Sequence, residues 1–261
     1  MSRSRALRAL GKGGRPALLV ALALCVAWEV WARGRSASTI LFPPPSVIGA
    51  TLAKQALSGE LLDTVAATLR RLAFGFVLGG VPALLLGLLM GFSARVRAAV
   101  DPVVAAAHSI PKIAVLPILM ILLGIGEAPK IVVVAAAAFF PLLINTMAGV
   151  RQISPIHFEV AHSYGASAPR VFWRVLLPGS LPQILSGARL ALNGGLLITI
   201  ALEIVAARTG LGAAIWLAWQ TLRVEELFAA LVVASALGVG FNATLVRLER
   251  HLVPWHSTPE I

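Results

Sequence analysis

One cysteine, one tyrosine and only 11 acidic residues stand among the 261 residues of this chain. A lone Cys25 excludes an internal disulfide framework, and Leu24 before it is too large for a lipoprotein cleavage site, which leaves a buried apolar thiol as the expected role. Charged residues make up 13% of the chain, about half the ~25% usual in soluble domains, so a water-exposed globule would be short of polar surface. His108, His157, His162, His251 and His256 lack metal-ligand spacing, and Glu29 and Glu203, the carboxylates inside apolar runs, have no base beside them in sequence. Gly11 to Gly14 lacks the spacing and the following Ser/Thr of a phosphate loop. Neither an enzyme, a bound metal, a cofactor nor ATP hydrolysis by this chain is expected. Strand-like alternation and internal repeats are also missing, which counts against a secondary transporter built from repeated halves.

What the chain has is apolar length: 58% of its residues are hydrophobic, and the mean hydropathy is +0.88. A helix needs about 20 apolar residues to cross a bilayer. Five or six such runs occur, at roughly 16–33, 72–92, 102–124, 130–150, 189–207 and 226–246. They predict an all-α membrane protein of about six spans, with a basic tail over 1–15, a membrane domain over 16–250 and a second tail over 251–261. Arg3, Arg5, Arg8, Lys12 and Arg15 precede the first run, which continues through Trp28 and Trp31 without a small-residue cleavage site before Ser36-Ala37-Ser38. That reads as a signal-anchor helix. The net charge of +11 is spread between apolar runs and not gathered on one face, so membrane topology accounts for it and nucleic acid is not an expected partner. With both termini in the cytosol, 13 Lys and Arg lie inside and 8 outside. That orientation follows the positive-inside rule.

Several ionisable residues sit at or inside the runs, and each has two readings. Glu203, in the outer half of the fifth run, either lines a translocation path or gate or joins a helix–helix hydrogen bond with an Asn or Arg. Lys112 follows Pro111 and is a candidate for the path or gate, but it merely snorkels to the cytosolic interface if the third helix starts at that proline; a kinked helix beginning near Pro102 is also open. Arg70, with Arg71, either attracts an anion or marks the outer edge of the second span. Gly75, Gly79, Gly80, Gly87 and Gly91 recur along that span and suit close helix approach or rocking.

One polar, helix-breaking island interrupts the apolar pattern, from Glu159 to Pro178. Ser154 and Pro155 predict a helix start, and Gly165 a left-handed end. Ser167 and Pro169 restart the chain, and the second short helix is expected to end at Leu177-Pro178, with Ser180 and Pro182 opening a third. Glu159 is placed in or near the first turn of its helix.

The spacing Glu159-x-Ala161-x3-Gly165, with Leu177-Pro178 following, resembles the EAA...G...LP cytoplasmic loop of ABC-importer permeases. Asp101-Pro102, Ile110-Pro111, Ala114, Pro117, Gly124-Ile125-Gly126, Phe139-Phe140-Pro141, Asn145-Thr146, Gly149-Val150 and Gly210-Leu211-Gly212 extend the resemblance, to the nitrate/sulfonate/taurine branch, over roughly residues 40 to 255. Val160 departs from the pattern as an apolar swap at the middle of the Glu-Ala-Ala triplet. The resemblance implies a type I ABC-importer transmembrane fold with an added N-terminal helix, in a bacterial inner membrane. It implies a translocation path for a small organic or inorganic anion, such as a sulfonate, nitrate or taurine, or else for a thiamine precursor or riboflavin. Its implied partners are a cytosolic ATPase pair, a second permease copy forming a homodimer, an extracytoplasmic binding protein and membrane lipid. Within the loop over 151–188, Glu159, Ala161 and Gly165 would seat a coupling helix on the ATPase, with Leu177 and Pro178 bracing it.

Overall fold

In the computed structural model of the protein, residues 19–34 and 41–255 are described. The tail placed at 1–15, residues 256–261 of the tail placed at 251–261, and the segment Ser36-Ala37-Ser38 lie outside them, while His251 and Leu252 belong to the last helix and not to a tail. The described residues are helical and turn-connected: α1 (19–33), α2 (Pro45–Leu57), α3 (Glu60–Phe92), α4 (Ala94–His108), a 3₁₀ turn (Lys112–Val115), α5 (Leu116–Leu123), α6 (Glu127–Arg151), α7 (Pro155–Ser163), α8 (Ala168–Val171), a π turn (Phe172–Leu176), α9 (Leu177–Ala206), α10 (Leu211–Gln220) and α11 (Val224–Leu252). Four of these stretches, Glu60–Phe92, Glu127–Arg151, Ala168–Ala206 and Val224–Leu252, are long and apolar enough to cross a membrane, and α4 with the 3₁₀ turn and α5 makes a fifth if that bent pair is one span. The first expected run reaches into residues outside the described part.

The described residues divide into two compact units, those up to Asp63 with 214–232, and 64–213 with those from Val233 onward. In the first, Glu29 on α1 accepts from Arg33 Nε (2.5 Å) and from Ser46 N (3.0 Å) and Oγ (2.7 Å), tying α1 to the start of α2. Trp31 meets Phe42 edge-on at 6.0 Å, and Trp28 meets Phe228 at 5.7 Å. Cys25 is exposed and not buried as expected. It shares the outward side of α1 with Leu22, Leu24 and Val26, a surface suited to lipid.

The second unit is built on close backbone approach. A Cβ at Gly75 would stand 2.5 Å from Val134, one at Gly87 2.7 Å from Thr146, and one at Gly79 would run into the Ala135 carbonyl. The glycines of α3 therefore form the seam against α6, as small residues do where lipid offers helices no hydrophobic reason to associate. The opposite side of α3 exposes Phe74, Val77, Leu78, Val81, Leu85 and Leu89. α6 is sandwiched further by α9, where Leu142, Leu143, Ile184 and Ala191 join one buried cluster.

Three expectations need correction. The third run is not one helix: α4 starts at Ala94, takes in Arg95 and Arg97, passes through Pro102, and stops at His108, where the chain bends by 85° before α5. Ser93 caps α4 through Val96 N, and Pro111 cannot continue it. Gly126-Glu127-Ala128-Pro129, which its composition marks as a tight turn between the third and fourth runs, is instead the N-cap and first turn of α6, since proline fits there without losing a hydrogen bond. The island does not end at Leu177-Pro178. Instead Ala168–Ala206 is one 39-residue helix through Pro178 and Pro182. The π turn over Phe172–Leu176 widens the helix ahead of Pro178, which relieves the clash of its ring with the Arg174 carbonyl. Ser180 Oγ adds a bond to the Leu176 carbonyl at 2.8 Å. Such adjustments let membrane helices carry prolines that would break a soluble one.

Candidate functional site

The island forms an exposed knob. Ser154 stands at the N-cap position of α7 in extended conformation, though its hydroxyl makes no capping hydrogen bond, and Pro155 opens the helix as expected. Its end is a Schellman motif: Ala166 N donates to the Ala161 carbonyl and Gly165 N to the His162 carbonyl, both at 2.9 Å. Gly165 has φ +66°, and nothing lies within 4 Å of a Cβ built there, so its constraint is purely conformational. The motif explains the spacing of two signature residues, since Ala161 supplies the first carbonyl of the bonded pair and Gly165 the left-handed residue that closes it. Glu159 is exposed in the second turn and not the first, so the helix N-terminus does not account for it.

Phe158 packs into the core cluster and anchors the knob. Ile156 (59% exposed), Val160 (50%) and Tyr164 (86%), four residues apart in turn, make an apolar stripe on its outer side, and Trp173 is exposed on the following helix. A cavity of about 270 Å³, lined by Leu88, Phe92, Phe158, His162 and Phe172 among others, lies under the knob. Leu177 packs against the same cluster, and Pro178 follows it on the continuous helix.

A second assembly joins α3, α6, α9 and the start of α10. Arg71, 2% exposed, uses all five of its N–H donors. Nε and Nη2 hold the Glu127 carboxylate at 2.5 and 2.9 Å. Nη1 reaches Glu203 Oε1 and the Thr209 carbonyl, both at 2.6 Å, and Nη2 reaches Thr209 Oγ1 at 2.9 Å. Glu203 is fully buried, and its other oxygen accepts from Thr68 Oγ1 and from Gly212 N, each at 2.9 Å. Thr68 in turn accepts from Leu211 N at 2.9 Å, and Lys130 reaches Glu127 at 3.1 Å. Gly210, at φ +109°, lets the backbone pass over the Glu203 carboxylate where a Cβ would collide with it. Two cations and two carboxylates hold one another in this cluster, and Arg71 has no donor left for a ligand, so the assembly is a latch.

Of the two roles open to Glu203, the geometry provides the helix–helix one. Arg70 is exposed, beside and outside the latch. Lys112 stands apart from both, at the α4–α5 break, with Nζ on the His108 carbonyl at 2.5 Å and 5.0 Å from the centre of the Phe140 ring. Sequence reasoning named Arg71 only beside Arg70, as an anion attractor or a span edge, and passed over Glu127, Lys130 and Thr68 as members of a site. One signal was available: Arg71 lies four residues before Gly75 and eight before Gly79, on the glycine seam, whereas Arg70 lies off it.

Membrane-crossing helices, a buried ion-pair latch and a protruding apolar knob are the features of a polytopic membrane subunit. The chain belongs to the family of binding-protein-dependent transport system inner membrane components, whose model matches residues 83–257. It is 34% identical over 246 residues to the taurine transport system permease protein TauC of Escherichia coli K12, covering 91% of this chain and 88% of TauC. It is 32% identical over 245 residues to the putative aliphatic sulfonates transport permease protein SsuC of Bacillus subtilis, covering 94% and 87%. To the formylaminopyrimidine transport permease protein ThiX of Halalkalibacterium halodurans it is 32% identical over 237 residues, covering 90% and 94%. Its fold is similar to that of a chain of the MetNI methionine ABC transporter, solved in inward-facing conformations, with a TM-score of 0.63 and 22% identity over 74% of this chain and 97% of that one. The protein is thus a multi-pass inner-membrane permease subunit of an ABC importer, working with a separate ATPase that hydrolyses ATP and with a substrate-binding protein.

Proposed function

We propose that this chain forms the path by which an ATP-driven importer takes up a small organic anion, a taurine-like or aliphatic sulfonate or a comparable anion such as nitrate. The observation that carries the substrate reading is the similarity to TauC and SsuC over most of the chain. The similarity to ThiX supports a second reading, a thiamine-precursor substrate. Uptake assays with radiolabelled taurine, alkylsulfonates and formylaminopyrimidine, in cells carrying the importer with its own binding protein, separate the two.

In this reading two copies enclose the path and the loop over 151–188 faces the cytosol. Glu159 and the stripe of Ile156, Val160 and Tyr164 seat α7 in a cleft of the ATPase, while Ala161 and Gly165 set its shape. Leu177 and Pro178 lie on the helix that continues to Ala206, so displacement of the knob is passed into a span as by a lever. ATP favours one state of the permease only by as much as the ATPase grips the knob better in that state.

The orientation has a direct check. Both termini are placed in the cytosol on the basis of 13 basic residues inside against 8 outside. In a Cys25→Ala background, cysteines at Ser58 and Ser163, both exposed, are expected to label from opposite faces. In intact cells a membrane-impermeant maleimide should modify the first and spare the second, and modification of both would contradict the topology.

A further inference from the structure

The break between α4 and α5 holds a feature that neither the knob nor the latch uses. Beside it lies a cavity of about 220 Å³ whose lining includes Ala107, Lys112, Val115, Leu119, Ala136 and Phe140. Phe140 lies halfway along the membrane-crossing α6, so the cavity sits at mid-depth of the bundle. Its walls are apolar except for Lys112. The Lys112 ammonium donates to the His108 carbonyl at 2.5 Å and lies 3.4 Å from His108 Nδ1, and the His108 ring leans on Phe140 at 5.0 Å.

The charge pairing among these helices is uneven. Arg71 faces Glu127 and Glu203, Lys130 faces Glu127, and Arg189 faces Glu249, whereas among the described residues no carboxylate pairs with Lys112. Lys112 is half-buried, and a lysine at membrane depth without a counter-charge is costly; such residues mark substrate pathways. Broken helices at mid-depth are also where transporters place substrate sites. The cavity is smaller than the roughly 300–1,000 Å³ of pockets for drug-sized ligands. A ligand that fits it has one anionic end and a short apolar body.

We propose that the α4–α5 break is a substrate subsite, in which a sulfonate headgroup pairs with Lys112 and its alkyl chain lies in the cavity against Phe140 and Ala136. The proposal rests on the organic-anion reading above. Its test is ATP-driven uptake of ethanesulfonate and butanesulfonate into proteoliposomes holding the complete importer, with the same binding protein throughout so that its own selectivity cancels. Lys112→Met is expected to raise KM for both by at least about tenfold, as loss of a charge-assisted hydrogen bond does, and Lys112→Arg to restore most of the affinity. Ala136→Leu fills the cavity and is expected to lower butanesulfonate uptake about tenfold while leaving ethanesulfonate within about twofold. Wild-type kinetics in Lys112→Met, or equal loss of both substrates in Ala136→Leu, would overturn the subsite. If Lys112→Met does not assemble, the chain-length preference of Ala136→Leu decides alone. Failure of the wild-type importer to move any sulfonate would remove the substrate reading, and the subsite with it. Wild-type uptake with unaltered variants removes the subsite alone.

Discussion

Arg71→Met is expected to destabilise the permease by about 3–5 kcal/mol, the usual cost of leaving one member of a buried ion pair uncompensated. Glu203 is fully buried, so without Arg71 its charge keeps only Thr68 Oγ1 and Gly212 N as partners. Glu127 suffers less, because its side chain is 40% exposed and retains Lys130. The double variant Arg71→Met/Glu203→Gln should recover much of the loss, since the glutamine carbonyl still accepts from Thr68 and Gly212 while neither member of the buried Arg71–Glu203 pair is left charged. Thermal unfolding in detergent measures both. Equal instability of the single and double variants would show that charge pairing is not what holds this end of the bundle together.

The second large effect is expected at the knob. Glu159→Lys and Gly165→Asp should each abolish uptake while leaving insertion and yield near normal. Gly165 sits at φ +66° with open space around it, so a side chain costs about 1–2 kcal/mol of local strain, enough to distort a short helix end but not to unfold the bundle. Glu159 is exposed, and reversing its charge places a cation where the proposed partner accommodates a carboxylate, a mismatch that interfaces tolerate poorly. Co-purification of the ATPase, scored beside uptake in the same cells, reads the result. Normal association and uptake in both variants would remove the coupling role, and disappearance of the permease itself would assign these residues to folding.

What was legible in the sequence was local. Ser154-Pro155 and Gly165 carry their own start and stop chemistry, and α7 begins and ends where they dictate. Prolines were misleading where the membrane changes their meaning: Pro102, Pro178 and Pro182 all lie within helices, the last two beyond a π turn that no sequence rule anticipated. The latch was hidden for a different reason. Arg71 meets partners 56, 132 and 138 positions away, and no spacing in one chain reports such distances. Glu203 was noticed because a carboxylate in an apolar run must be satisfied somehow, but its partner came from the three-dimensional fold. Lys112 was legible only as an alternative between interface and path. The bend after His108 places it beside Phe140 at mid-depth.

The central claim, that this chain is an ATP-coupled import path and not an autonomous carrier or enzyme, is tested most directly by stepwise reconstitution. The purified permease in proteoliposomes is expected to show neither ATP hydrolysis nor taurine uptake alone. Uptake should appear only when the ATPase, the binding protein and ATP are all present. Hydrolysis by the isolated chain, or taurine uptake driven by an ion gradient without ATP, would contradict the account.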